Sequence, residues 1–168
     1  MSIRLPLLLL VTLLLVGCGA GAPVVAPAGG AGSLSTMSDG EQGWAREVFE
    51  LTNLEREARG IPPLHWDDRA AEAAYEHCWD MHLRDYFHHV NPDGETPGDR
   101  LAEVGVSFTY AGENIARGQL TPHEVVRAWM ASPGHRENML SPAWTHVGVG
   151  VHSGAERGPW WAQEFYRP

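Results

Sequence analysis

In His146-Val147-Gly148-Val149-Gly150-Val151-His152 every second residue from Val147 to Val151 is valine, and glycine stands between. A period of two marks a strand, here with one packed face and one nearly bare face. The bare strip lets a ligand or another backbone come close, and a helix lying against it is the commoner use of such glycines. His146 and His152 share the glycines' parity, so two imidazoles flank the strip. Trp160 to Tyr166 reads as the antiparallel partner strand. Its adjacent Trp160 and Trp161 must face opposite sides, which leads us to expect one in the core and one exposed.

Upstream the period changes to that of helices. Trp44, Val48, Leu51, Leu54 and Ala58 recur at intervals of three and four before Gly60 and Pro62-Pro63, which predicts a helix with this stripe as its core face. Asp67 caps a second helix, with Ala70, Ala74, His77, Cys78 and Met81 on its buried stripe and an end near Arg84. Thr96-Pro97-Gly98-Asp99 starts a short helix, Asp99 to Val104, closed by Gly105. Val106 to Tyr110 reads as a strand. Thr121-Pro122-His123-Glu124 has the capping-box form and predicts a helix through Met130. Ser132-Pro133 repeats the start signal and places His135 in the first turn of another helix. Helices first and strands later, without βαβ alternation, predict an α+β domain with helices packed on a small antiparallel sheet.

The N-terminal end reads differently. Arg4 precedes a 12-residue apolar run, Leu5 to Val16, too short for a membrane span of about 20 residues. It reads as a signal peptide, residues 1–17. Leu15-Val16-Gly17-Cys18 resembles the bacterial lipobox, which implies a lipid on Cys18 and an extracytoplasmic, membrane-anchored protein. Residues 18–40 are Gly, Ala, Pro and Ser with almost no charge, the composition of a flexible tether. The folded domain is then expected over 41–168.

Composition excludes several classes of function. Without residues 1–17 the chain holds 11 arginines against 21 acids, so nucleic acid is not an expected partner. There is no lysine, which rules out Schiff-base chemistry, a Ser-Lys dyad and a P-loop. If Cys18 is lipidated, Cys78 has no disulfide partner and reads as a small apolar core residue.

Three separated patches carry the candidate chemistry: Tyr86-Phe87-His88-His89-Val90-Asn91-Pro92-Asp93-Gly94, Gly112-Glu113-Asn114-Ile115-Ala116, and Ser132-Pro133-Gly134-His135-Arg136-Glu137-Asn138-Met139-Leu140. His89, Glu113 and His135 are 24 and 22 residues apart, so only a compact fold could assemble them. Two imidazoles and a carboxylate suit Zn²⁺ or another divalent cation, and three protein ligands plus water make an open site able to activate water. The alternative is a satisfied buried network that fixes loops and binds nothing. Ser132 and Glu137 are weaker candidate helpers. His88 is the rival of His89.

The motifs in order resemble the CAP superfamily, also called the SCP or cysteine-rich secretory domain, in its bacterial form, over residues 47–166. The matching segments are Leu51-Thr52-Asn53-Leu54-Glu55-Arg56, Leu64-His65-Trp66-Asp67, Phe87-His88-His89, Gly112-Glu113-Asn114-Ile115-Ala116, Trp129-Met130-Ala131-Ser132-Pro133-Gly134-His135-Arg136 and Val147-Gly148-Val149-Gly150. The resemblance implies an α-β-α sandwich whose cleft holds two histidines and two acids able to bind a divalent metal. Matching Pro92-Asp93-Gly94 puts His89 on the first histidine, and Glu113 and His135 on the next two roles. The fourth, an acid in animal members, falls near Ser132. Three functions follow as expectations: an envelope-anchored module binding a lipid, peptide or wall component; a metal-dependent hydrolase with His89 and His135 on the metal and Glu113 as ligand or base; and a structural or adhesive module.

Overall fold

The computed structural model describes residues 37–154 and 156–168. The expected signal peptide, the Cys18 lipidation site and most of the expected tether lie outside the described residues.

The valine-glycine segment is strand β3, to be read with five helices and three other strands: α1 (Asp39–Glu57), β1 (His65–Trp66), α2 (Asp68–Leu83), α3 (Pro97–Glu103), β2 (Tyr110–Arg117), α4 (Pro122–Ala131), α5 (Pro133–Leu140), β3 (His146–His152) and β4 (Trp160–Arg167). The sheet order is β1-β3-β4-β2. β4 lies antiparallel between β3 and β2, with Gly148 opposite Glu164 and Glu164 opposite Glu113. The two-residue β1 pairs parallel with β3, a parallel edge on an otherwise antiparallel sheet that no local sequence signal announces.

The bare strip of β3 is covered by α2. A Cβ on Gly148 would stand 1.9 Å from the Ala71 nitrogen, and one on Gly150 would stand 2.1 Å from the Tyr75 nitrogen. The glycines therefore admit helix backbone, and no ligand has room there. The stripe that permits this approach, Ala70, Ala71, Ala74, Cys78 and Met81, is fully buried, and Asp67 caps α2 as expected, accepting from the Arg69 and Ala70 nitrogens. On the opposite face, Val147, Val149, Val151, Trp161 and Phe165 pack with Ala45 and Val48 of α1, Val125 and Trp129 of α4 and Met139 of α5. Each such side chain fully removed from water contributes about 1.5–3 kcal/mol. Because both faces are covered, Trp160 and Trp161 are both buried, at 1% and 0% exposure. The expected exposed tryptophan of the pair does not exist.

Two other expectations are corrected. α1 begins at Asp39 behind a Ser38–Glu41 capping box and turns a different face inward, Ala45, Val48, Thr52 and Arg56, while Leu54 is exposed. The polar members of that face are fully used: Thr52 donates to the Val48 carbonyl and accepts from Gln163, and Arg56 donates to the carbonyls of Pro62, Met139 and Ser141. The strand expected at Val106 to Tyr110 starts only at Tyr110 and runs through the Gly112–Ala116 patch. Thr96 and Thr121 cap α3 and α4 as expected, although α3 already begins at Pro97 and ends at Glu103.

Candidate functional site

Strand alternation sends consecutive residues of β2 to opposite layers. Glu113 points to the α2 and α3 side. Its neighbour Asn114 points to the α5 side, where its amide donates to the His135 carbonyl at 3.1 Å and to Gln163 at 3.2 Å. Asn138 of α5 completes that tie, donating to the Glu113 carbonyl and to Asn114 Oδ1, both at 3.0 Å. Thus one patch positions the two flanking layers against each other.

The Glu113 carboxylate is buried, with 1% of its side chain exposed. Oε1 pairs with His89 Nδ1 at 2.5 Å, and Oε2 accepts from Arg100 Nη2 at 2.6 Å. His77 Nε2 of α2 lies 3.5 Å from Oε2. Arg100 also donates to Glu164 Oε1 at 3.3 Å and to the His89 carbonyl at 3.1 Å. The His89 loop is closed by Asn91, whose Oδ1 accepts from the Asp93 and Glu95 nitrogens, and by Gly94, which takes a left-handed φ of 92°.

Two buried carboxyls share one buried guanidinium, and their protonation separates. Burial works to raise the Glu113 carboxyl, but His89, His77 and Arg100 outweigh it and hold it below its usual value. Glu164 is fully buried, and burial together with the Glu113 charge pushes it well above 4.5. The shift favours its protonated form, and its Oε2 is buried without a hydrogen-bond partner among the described residues. Burial lowers His77 to about 4, against the pull of Glu113, so this imidazole is neutral. Burial and the nearby His89 charge also lower His135.

The structure brings His89 and Glu113 into contact. His135 lies on the other layer, and its imidazole is linked to the pair only through its electrostatic sensitivity to His89. Among the described residues no group of three or more His, Cys, Asp or Glu is disposed to hold a metal ion. Both Glu113 oxygens are engaged, by His89 and by Arg100. What the contacts show is Glu113 orienting His89 through Nδ1, the outer arrangement common around a metal-binding histidine. His88 is exposed, and its Nδ1 takes the Val90 N–H. Ser132 stands at the α5 N-cap, but its hydroxyl caps nothing. Cys78 is packed core, its thiol pushed up by burial.

Arg100, Glu164 and His77 were not singled out by sequence reasoning. The signals were there: Glu164 shares the inward parity of Trp160 and Ala162, and His77 sits in the apolar stripe of α2.

Beside the network a cleft of about 340 Å³ opens between Phe87, the Ile115–Arg117 end of β2, and Ala128, Trp129, Ser132 and His135 of the α4–α5 corner. A larger hollow of about 470 Å³ on α1, lined by Arg46, Glu47, Glu50 and His123 among others, lies away from the buried network and gathers only surface groups.

Comparison with known proteins gives a consistent picture. An uncharacterized protein of Bacillus subtilis, YkwD, is 45% identical over 122 residues, 73% of this chain and 46% of the relative. An extracellular SCP-domain protein of Bacillus anthracis is 38% identical with a TM-score of 0.71, covering 76% of this chain and 41% of that one. NaASP2, solved with Zn²⁺, shares the fold at a TM-score of 0.56 and 13% identity, covering 77% of this chain and 80% of that one. The chain thus spans less than half the length of its first two relatives. Residues 49–165 match the cysteine-rich secretory protein family, CAP, and with the sandwich and motif order described above, the chain belongs to that family.

Proposed function

We propose that this CAP domain is a ligand-binding module of the cell envelope, with the cleft beside β2 as its binding site and the Glu113 network as the device that holds the cleft's walls. The observation that carries this reading is the use of Glu113. A hydrolytic base needs a free carboxylate oxygen, whereas here both oxygens hold His89 and Arg100. The cleft next to it has apolar walls and a few polar groups, the usual make-up of a small-ligand site. The ligand class is a lipid, a peptide or a wall component. The extracytoplasmic location rests on the expected leader and on the extracellular relative. The membrane anchor is a lipid on Cys18.

A divalent cation, Zn²⁺ or a similar ion, is proposed as an accessory. His89, whose Nδ1 is held by Glu113, and His135 would hold it. When bound, such an ion would polarise an oxygen of the ligand. The second reading, a metal-dependent hydrolase of peptide or wall substrates using Glu113, His89 and His135, draws support from the electrostatic nearness of the two imidazoles. A structural or adhesive module is the third.

The test is an NMR titration of the purified protein with candidate lipids and wall peptides in the presence of Zn²⁺, with the probes recovered afterwards. Shifts centred on Phe87, Trp129 and His135, with the probe intact, support binding. Conversion of a probe that stops with chelator or in His89→Ala means that the protein is a hydrolase.

A further inference from the structure

Arg117 ends β2 at the mouth of the cleft, and its environment differs from that of the other described arginines that have partners. Arg46, Arg59, Arg69, Arg84, Arg100 and Arg157 each hold a carboxylate, and Arg56 holds backbone carbonyls. Arg117 is exposed, and its guanidinium lies 4.8 Å from the centroid of the Trp160 ring and 5.5 Å from that of Phe87. Among the described residues no carboxylate forms an ion pair with it, in a chain with 21 acids to 12 bases. Contact with the two rings holds the guanidinium in place while leaving its N–H groups without a partner among the described residues.

The guanidinium lines the same cleft as His135 and Ser132. The Ser132 hydroxyl caps no helix nitrogen. The cleft therefore offers one guanidinium, the polar side chains of Ser132 and His135, and apolar walls from Phe87, Ile115 and Trp129. A planar fork of donors matches the two oxygens of a carboxylate. About 340 Å³ is room for a short apolar body beside that group.

We infer that the cleft selects an apolar carboxylate, with Arg117 as the residue that receives the anionic group. This deepens the ligand-binding reading of the same cleft and rests on it. Two sources carry such chemistry, an alkyl carboxylate of lipid type and the free end of a peptide, and the experiment separates them.

Calorimetry on the purified protein would compare octanoate with octanamide and N-acetylphenylalanine with its amide, in wild type, Arg117→Gln and Arg117→Lys. Because charge-assisted hydrogen bonds are involved, one acid or the other is expected to bind at least about tenfold more tightly than its amide. Arg117→Gln should abolish that preference and leave amide binding unchanged, whereas Arg117→Lys should keep part of it. The pair that shows the preference names the source. Equal binding of acid and amide, or a preference that persists in Arg117→Gln, overturns the inference yet leaves the cleft as a binding site. Binding of no probe also overturns it, and the NMR titration above then decides the cleft reading separately.

Discussion

Gly148→Ala places one methyl group in the contact between β3 and α2. The new Cβ would stand 1.9 Å from the Ala71 nitrogen, 2.1 Å from the Ala70 carbonyl carbon and 2.6 Å from the Ala70 oxygen. All three are backbone atoms of a helix, so no side-chain rotation relieves the clash. Reaching an ordinary contact of about 3.5 Å requires α2 to move from the sheet by more than 1 Å, or the strand to buckle. Overpacking of this kind costs about 1–3 kcal/mol, and with rigid backbone on both sides we place Gly148→Ala at about 3 kcal/mol or more. That is a large share of the roughly 5–15 kcal/mol that a domain of this size holds. The shift also draws His77 away from Glu113, since α2 carries it. Urea unfolding followed by tryptophan fluorescence measures the loss, with Gly43→Ala as control. Gly43 is a helical glycine with open space where its Cβ would go, so that change should raise stability by about 0.5–1 kcal/mol. If Gly148→Ala costs less than about 1 kcal/mol, the glycine strip is not what seats the helix.

Glu164→Gln tests the raised pKa of the buried Glu164 carboxyl. For an acid whose folded pKa is raised, stability is fully present below the unfolded value near 4.5 and falls as pH rises above it. The variant, which mimics the protonated form, should therefore gain on wild type in urea midpoints as pH rises above 4.5; a constant difference would mean that Glu164 is ionised. His77 acts in the opposite direction, because its folded pKa is lowered from 6.5 to about 4. The unfolded chain takes up the proton first, so about 3 kcal/mol of stability is lost as pH falls through that window, and His77→Gln should flatten that part of the profile. Arg100→Met leaves the buried Glu113 carboxylate without its guanidinium and should cost about 3–5 kcal/mol, with the added loss of order in the His89 loop visible by hydrogen exchange. A cost below 1 kcal/mol would mean that water reaches the pair.

How far the sequence discloses this molecule depends on where each element's reason for existing lies. Helices α2, α3 and α4 carry their reasons locally, in Asp67, Thr96 and Thr121. β3 and β4 show theirs in a period of two. β1 has only His65 and Trp66 and exists because β3 offers an edge. β2 is obscured because Gly112, Glu113 and Asn114 are poor strand formers placed there to serve two flanking layers. The inward face of α1 is displaced from its most apolar stripe because Thr52 and Arg56 find buried partners that lie far along the chain. At the site, the motif order of the family led to His89 and Glu113. It does not disclose Arg100 and Glu164, whose pairing with Glu113 depends on strand register and on the docking of α3.

The account turns on Glu113 holding His89 in place instead of serving as metal ligand or base. The measurement that tests this most directly is a zinc titration of wild type and Glu113→Gln by calorimetry, with the stability of both determined on the same samples. A positioning role predicts a variant less stable by about 3 kcal/mol that still binds Zn²⁺, weakened by about 10–100-fold. A variant as stable as wild type that has lost Zn²⁺ altogether would contradict the account and make Glu113 a ligand.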